Sequence, residues 1–499
     1  MSMRRANSSQ DRAPSAPGIN LAPILYFMGV VSCVLGGFML LPVLIDLVDR
    51  HEDYLPFLVC AGGTIFVGSG VAIATHGRHL RISQNETLLL LPITWVMTSL
   101  VCALPFMVAE SKLSLVNAVF ESISGLTTTG STVMSGLDNA PRGLLMWRFL
   151  IQWIGGFGVV TIAVLALPFL RIGGLQLFSL DLSPNSTKFV PRMTEVVGQI
   201  GMIYVLLTIL CAVCYWIAGM NVFDAVGHAM AALATGGYSS HDSSIGYFDS
   251  PAIEWISVVF MALGAMPFGL YIMVLYGRPE ALYRDQQVRL FMLIILTATL
   301  LFAAWRIAKA DVGLLDALRQ GAFVTVSTIT TTGFTSHDFS FWGSFPEMLA
   351  LLLMLVGGCT GSTVGGIKVF RLHTMMQLLR AQIHRQIYPH GTFRITFNGE
   401  TIPDAVRAGV ATYIFIYLIT LAALSLAIAA TGLNFTESLA AAATALGNNG
   451  PGLGSVYGPC CTFREAPDTA KWLMSFGLLA GRLEILMLII PFSRAFWRS

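Results

Sequence analysis

A chain of 499 residues in which 55% are hydrophobic and only 11% charged lies far from soluble domains, where charged residues alone make up about 25%. Apolar runs of about 20 residues, long enough to cross a bilayer, recur from Ile24 almost to the last residue, which excludes a soluble domain of any size and makes membrane lipid the surroundings. The net charge of +2 says little about partners, and no nucleic-acid partner is expected.

Residues 1–20 are polar, carry Arg4, Arg5 and Arg12 and lack a clean small-residue cleavage site, so they read as a short cytoplasmic tail. Two apolar runs, 24–48 and 55–75, flank a hydrophilic turn at 49–53 and form an N-terminal two-helix unit, 21–81. His76 and His79 make an H-x-x-H, but basic residues at a membrane edge explain it better than metal, because helix-borne ligand pairs sit four apart in H-E-x-x-H.

A pattern then occurs four times: a span, an apolar run too short to cross, a polar segment ending in glycine, and a second span. The parts are 88–108, 115–126, Gly130 and 144–170; then 197–218, 222–233, Gly237 and 253–276. The third copy is 290–307, 314–329, Gly333 and 348–379; the fourth is 406–430, 435–446, Gly450 and 472–492. The units run 82–192, 193–286, 287–400 and 401–499. Each crosses twice, so all keep one orientation and can arrange only about an axis along the membrane normal. Placing both termini and the connections between units on one side collects most of the 29 lysines and arginines there, which makes that side cytoplasmic. The basic connection from Lys368 to Arg407 suits anionic lipid, a plain cytoplasmic face or a docking subunit alike. Cys211 and Cys214 fall inside an apolar run and read as packing; Cys460 and Cys461 are placed outside the membrane with their pairing open.

The four polar segments are Thr127-Thr128-Thr129-Gly130, Ala234-Thr235-Gly236-Gly237, Thr330-Thr331-Thr332-Gly333 and Gly447-Asn448-Asn449-Gly450. Tyr238-Ser239-Ser240-His241-Asp242 matches Phe334-Thr335-Ser336-His337-Asp338, so Gly237 rather than Gly236 aligns with Gly333. Non-helical backbone at membrane depth is tolerated only where protein covers it or water lines it, so four such segments on one axis imply a pore. Threonine and glycine offer neutral oxygens, and glycine allows backbone angles that aim carbonyls inward, which suits potassium better than the reluctantly dehydrated magnesium.

Below the third segment, residues 357–366 interrupt an inner helix with five glycines, each costing up to about 1 kcal/mol of helix propensity. A phosphate-binding loop fails for want of Gly-Lys-Ser/Thr, which leaves a mid-membrane break or close helix packing. Arg482 lies near the middle of the last span, where a charge costs about 2.5–3.5 kcal/mol, so it faces the pore or a partner. Glu121, Asp224, Asp316 and Glu437 near the short runs fit either cation attraction or capping.

On these motifs the chain resembles the superfamily of Trk, Ktr and HKT potassium transporters, and within it the bacterial Trk membrane subunits of the TrkH/TrkG type, which carry an additional helix pair before the first unit. The resemblance covers the chain from about residue 20 to the end. It implies an all-α polytopic membrane protein with four M1-P-M2 pore units in pseudo-fourfold arrangement. It implies that Gly130, Gly237, Gly333 and Gly450 form the narrow ring of a selectivity filter, with potassium held by Thr128, Thr129, Thr235, Gly236, Thr331, Thr332, Asn448 and Asn449. Fewer ordered carbonyl rings than in potassium channels imply weaker exclusion of sodium or rubidium, while glycine at all four positions favours potassium. The stretch Gly357, Gly358, Thr360, Gly361, Ser362, Thr363, Gly365 and Gly366 then corresponds to an intramembrane gating loop, and Arg482 to an arginine below the filter that repels cations; a structural ion pair is the other reading of Arg482.

The function expected is potassium uptake across a bacterial inner membrane, driven by the membrane potential, with both termini cytoplasmic. A homodimer and a cytoplasmic nucleotide-binding subunit of the TrkA type are implied partners; potassium is the transported ion and no organic cofactor is expected. A proton- or sodium-coupled symporter would need ionisable residues within the spans, where few exist. An intramembrane enzyme would need a nucleophile with a neighbouring base or an H-E-x-x-H, and neither is present.

Overall fold

The computed structural model describes residues 21–77, 84–166, 189–310, 312–450, 452–453, 458, 461–494 and 496–497. The tail 1–20, the basic residues Arg78 and Arg81, the end of the first inner span at 167–170, and Cys460 lie outside the described residues.

The N-terminal pair consists of α1 (Leu21–Phe38) continued by α2 (Leu40–Asp49), packed against α3 (Tyr54–Thr75). A Cβ at Gly29 would stand 2.7 Å from the carbonyl oxygen of Gly68, and one at Gly68 would stand 2.8 Å from that of Gly29. Small residues at this crossing let two backbones meet, the packing that replaces hydrophobic drive inside a bilayer. The pair is tied to the first unit at its ends. Asp46 accepts from Gly143 N–H at 2.8 Å, and both oxygens of Asp53 accept from Glu110 N–H at 3.0 and 3.1 Å.

Four units follow. The first has α4 (Gln84–Val108), α5 (Leu115–Leu126) and α6 (Arg142–Ala166). The second has α7 (Phe189–Ile217), α8 (Val222–Leu233), α9 (Pro251–Gly264) and α10 (Phe268–Leu275), then the short linker α11 (Glu280–Arg284). The third has α12 (Gln286–Ala310), α13 (Leu314–Ile329), α14 (Ser344–Val356) and α15 (Val369–Ile387). A two-residue hairpin, β1 (Thr396–Phe397) with β2 (Glu400–Thr401), leads to the fourth: α16 (Asp404–Ala429), α17 (Phe435–Gly447), α18 (Asp468–Arg482) and α19 (Ile485–Ile489). Among the described residues seven helices are long and apolar enough to cross a membrane, or nine if each bent pair counts as one. This is an all-α polytopic membrane protein of four M1-P-M2 units plus an N-terminal helix pair.

The half-helices α5, α8, α13 and α17 fall where their lengths predict, α17 running one residue further than expected. Three start on polar caps. Ser114 accepts from Asn117 N–H, Asn221 from Asp224 N–H, and Asn434 forms a capping box with Glu437. The fourth, α13, starts at Gly313 without a side-chain cap.

Three of the four inner spans differ from simple helices. The break in the third unit, expected over 357–366, extends over 357–368. The second span, expected as one helix over 253–276, bends by 92° between α9 and α10, where Pro267 can donate no backbone hydrogen bond. The fourth, expected as continuous over 472–492, bends by 115° after Arg482. Glu484 takes a left-handed conformation there, φ 61°, and its carboxylate is held by Arg371 at 2.6 Å. Only α6 runs unbroken through its described length.

Candidate functional site: a ring of four segments and the loop beneath it

All four half-helices end the same way. The residue two before each aligned glycine is left-handed: Thr128 at φ 52°, Thr235 at 51°, Thr331 at 52° and Asn448 at 52°. Its N–H and the next one turn back to close the helix end. Thr128 and Thr129 donate to the carbonyls of Gly125 and Ser124 at 2.9 and 2.8 Å, and Thr235 and Gly236 to those of Ala232 and Ala231 at 3.2 and 2.9 Å. Thr331 and Thr332 donate to Thr328 and Ser327 at 3.1 Å each, and Asn448 and Asn449 to Ala445 and Thr444 at 3.4 and 3.1 Å. This is the Schellman ending, whose left-handed position is normally glycine. Asparagine tolerates it, but a β-branched threonine there is an outlier that costs on the order of 1–3 kcal/mol. A left-handed residue stands two places before Gly237 just as one stands two places before Gly333, Thr235 at φ 51° and Thr331 at 52°.

The segments close on one another. A Cβ at Gly130 would overlap the carbonyl oxygen of Gly236, and one at Gly237 that of Thr332. At Gly450 it would stand 3.0 Å from the carbonyl oxygen of Thr129 and 3.4 Å from the Cα of Gly333. Gly130 thus gives up its side-chain space to the second segment and Gly237 to the third, while Gly450 lies against both the first and the third, which closes the ring. The expectation that glycine supplies unusual backbone angles holds for Gly130, Gly237 and Gly333, at φ 87°, 73° and 81°, but Gly450 has no positive φ. On the side lined by the residues after the glycines, a cavity of ≈ 70 Å³ touches all four of them together with His241 and Asp242.

Side chains cross between segments. Asn448 Nδ2 donates to Thr129 Oγ1 at 3.1 Å, Asn449 Nδ2 to the Thr328 carbonyl at 3.1 Å, and Ser131 Oγ to the Gly450 carbonyl at 3.0 Å. Thr127 and Thr330 pair with Thr129 and Thr332 through their hydroxyls at 2.8 and 2.7 Å. In the second segment Gln152 does this work, donating to the Gly236 carbonyl at 2.6 Å and accepting from Tyr238 N–H at 3.1 Å.

Behind the first two segments lies a brace that the sequence reading passed over. Arg148, 1% exposed, donates to Glu121 at 3.0 Å, to the Ser239 carbonyl at 2.8 Å and to Thr132 at 3.2 Å, with its guanidinium 4.0 Å from the Tyr238 ring centre. An arginine inside an apolar span was the available signal. Of the four acidic residues near the half-helices, Glu121 is committed to this brace, Asp224 and Glu437 stand at the caps, and Asp316 pairs with Arg319 at 2.9 Å.

The loop 357–368 lies under three of the segments. Thr363 Oγ1 reaches Thr235 Oγ1 at 2.9 Å and the carbonyls of Gly264 and Leu233 at 3.1 and 3.2 Å. Gly365 N–H donates to Thr331 Oγ1 at 3.2 Å, and a Cβ on Gly365 would overlap the Gly447 carbonyl. Cys359 N–H donates to the Ala265 carbonyl at 3.1 Å and Phe268 N–H to that of Gly361 at 2.9 Å, so the loop fills the bend of the second inner span. Thr360 N–H is held by Gln287 at 2.9 Å, Ser362 Oγ bonds the Cys359 carbonyl at 2.7 Å, and Gly357, Gly361 and Gly366 have positive φ while Gly358 accepts from Val369 N–H.

Arg482 stands beneath the fourth segment. Gly481 beside it lies against Leu446, and its missing Cβ would stand 2.9 Å from Asn448 Oδ1. Arg482 is 8% exposed, and none of its three guanidinium nitrogens has a hydrogen-bond partner among the described residues. Glu484, the nearest carboxylate in sequence, is paired with Arg371 instead.

Comparison with known proteins agrees with this architecture throughout. The profile of the TrkH family, described as cation transport protein, matches residues 63–499. The Trk system potassium uptake protein TrkI of Halomonas elongata is 39% identical over 96% of this chain and 97% of its own. The Trk system potassium uptake protein TrkH of Salmonella typhimurium is 35% identical over 95% of this chain and 99% of its own. The crystal structure of the potassium transporter TrkH from Vibrio parahaemolyticus has a TM-score of 0.89 at 33% identity, covering 96% of this chain and 100% of that one. These relatives are transporters, not enzymes. With four matched half-helices closing one ring and relatives alike over nearly their whole lengths, the chain belongs to the TrkH family of cation transport proteins.

Proposed function

We propose that the protein takes up potassium across a bacterial inner membrane, through a selective, gated pore driven by the membrane potential, with both termini cytoplasmic. The observation that carries this reading is the closed ring, in which the backbone of one segment occupies the side-chain space of the next. The names of its relatives, Trk system potassium uptake proteins, support potassium as the ion.

In this reading the units 82–192, 193–286, 287–400 and 401–499 each supply one quarter of the filter. Potassium exchanges its weakly held water for neutral oxygens of Thr128, Thr129, Gly130 and their counterparts at 235–237, 331–333 and 448–450, without a carboxylate that would bind it too tightly to leave. Magnesium is refused because it dehydrates reluctantly. The loop from Gly357 to Gly366 obstructs the path below. Arg482 adds a positive charge there: its three guanidinium nitrogens are buried without hydrogen-bond partners among the described residues, and in this reading that uncompensated charge below the filter repels cations. Opening requires the loop to move, and a cytoplasmic nucleotide-binding subunit of the TrkA type, acting on a homodimer of this chain, supplies that push.

Growth of a potassium-uptake-deficient bacterium at low potassium tests the reading. The wild-type chain, expressed with its nucleotide-binding partner, restores growth, and Gly333→Ser restores it less well or loses potassium preference. No rescue by the wild type would count against the whole proposal.

A further inference from the structure

Arg371 and Glu484 come from different units and meet directly below the loop. Arg371 is in the first turn of α15, three residues after Lys368 ends the loop; Glu484 is at the bend between α18 and α19, two residues after Arg482. Arg371 Nη2 donates to Glu484 Oε1 at 2.6 Å, and the guanidinium lies 3.7 Å from the ring centre of Tyr413 on α16. Both are buried, Arg371 at 2% exposure. Three segments of two units are thus joined at one point. The backbone is bent to make the joint, since Lys368 and Glu484 both have positive φ, at 74° and 61°, which residues with side chains rarely adopt.

The pair also decides the charge under the ring. A carboxylate two residues from Arg482 could neutralise it, yet Glu484 is turned to Arg371, and Arg482 keeps three nitrogens without hydrogen-bond partners among the described residues.

We propose that Arg371 and Glu484 are a positioning pair that latches the loop shut: the ion pair fixes the start of α15 against the bend of the fourth inner span and keeps Glu484 away from Arg482. The proposal rests on the gated-pore reading above. Displacing α15, whose far end carries the exposed Arg380 and Arg385, must part the pair. The freed carboxylate then has two further cations to turn to, Lys368 at the end of the loop, which already feels its charge, and Arg482 two residues away, so loosening the loop and redistributing the charge beneath it become one event.

The test is rubidium flux into potassium-loaded liposomes by the full chain without its cytoplasmic partner. Arg371→Met and Glu484→Gln each raise basal flux by about fivefold or more, the lower end of ordinary coupling between two states. The exchanged pair Arg371→Glu with Glu484→Arg falls back toward the wild-type level, which a merely structural contribution of either side chain would not produce. Single variants that elute as folded protein at wild-type flux overturn the latch, and so does an exchanged pair as leaky as the singles. Should Glu484→Gln fail to fold, Glu484→Asp keeps the charge and lengthens the contact; it raises flux by a smaller factor, and unchanged flux overturns the latch. Wild type reconstituted with its partner separates the two levels. No flux there removes the gated-pore reading itself, whereas flux there with silent variants removes the latch alone.

Discussion

A side chain at Gly237 would run into the carbonyl oxygen of Thr332, so the second and third segments meet with no room for a methyl group. Gly237→Ala combines overlap with a left-handed φ of 73°, costs of about 1–3 kcal/mol each. Flux should be lost or its ion preference abolished. Gly450→Ala faces only a 3.0 Å approach to the Thr129 carbonyl and no positive φ. It should retain flux measurably above Gly237→Ala, in a side-by-side liposome assay.

Thr363→Val removes the hydroxyl that bonds Thr235 and the Gly264 and Leu233 carbonyls while keeping the volume. At about 0.5–1.5 kcal/mol per hydrogen bond, the loop loosens and basal flux rises several-fold. Thr297→Val on α12 serves as the control, because its exposed hydroxyl bonds only carbonyls of its own helix.

Arg482→Ala takes away a charge that makes no hydrogen bond among the described residues. Basal cation flux should increase about tenfold, within the range that a bias of 1–3 kcal/mol produces, with no fall in the midpoint of thermal unfolding in detergent. A fall in stability without a rise in flux would return Arg482 to a structural role.

Arg148→Met leaves Glu121 buried without its cation, an event that costs about 3–5 kcal/mol. Thermal unfolding in detergent should show a large drop, and adding Glu121→Gln should recover part of it, since the two effects share one contact.

His337, in the loop after the third segment, has its pKa held below the usual histidine value by burial first and by the Arg319 and Arg306 charges second. Its folded pKa lies below its unfolded one, so the unfolded chain takes up the proton first as pH falls. The contribution of neutral His337 is complete above about pH 6.5 and is lost progressively below it. His337→Asn should flatten this acid-side slope in unfolding measured from pH 7.5 to 5.

What could be read from residues alone was what length and composition dictate. A dozen apolar residues cannot cross a bilayer, so α5, α8, α13 and α17 were legible to within a residue. The glycine run at 357–366 announced its break by helix propensity. The bends after Gly264 and after Arg482 gave weaker warning, since Ala265-Met266-Pro267 offers one proline and Leu483-Glu484 none; the second bend is made by a contact from another unit. Left-handed threonines were illegible for a deeper reason: residue type argues against them, and only the surrounding ring holds them there. Glu121 was visible but its partner Arg148, 27 positions away, could be joined to it only by the fold.

Over its described length α6 is unbroken, whereas two of the other inner spans are bent and the third is interrupted by the loop 357–368. Four identical subunits would have to break every inner helix or none, because a change in one is a change in all. Joining the four quarters in a single chain removes that obligation: one inner wall can stay straight over its described length while the other three are bent or interrupted, each at its own place.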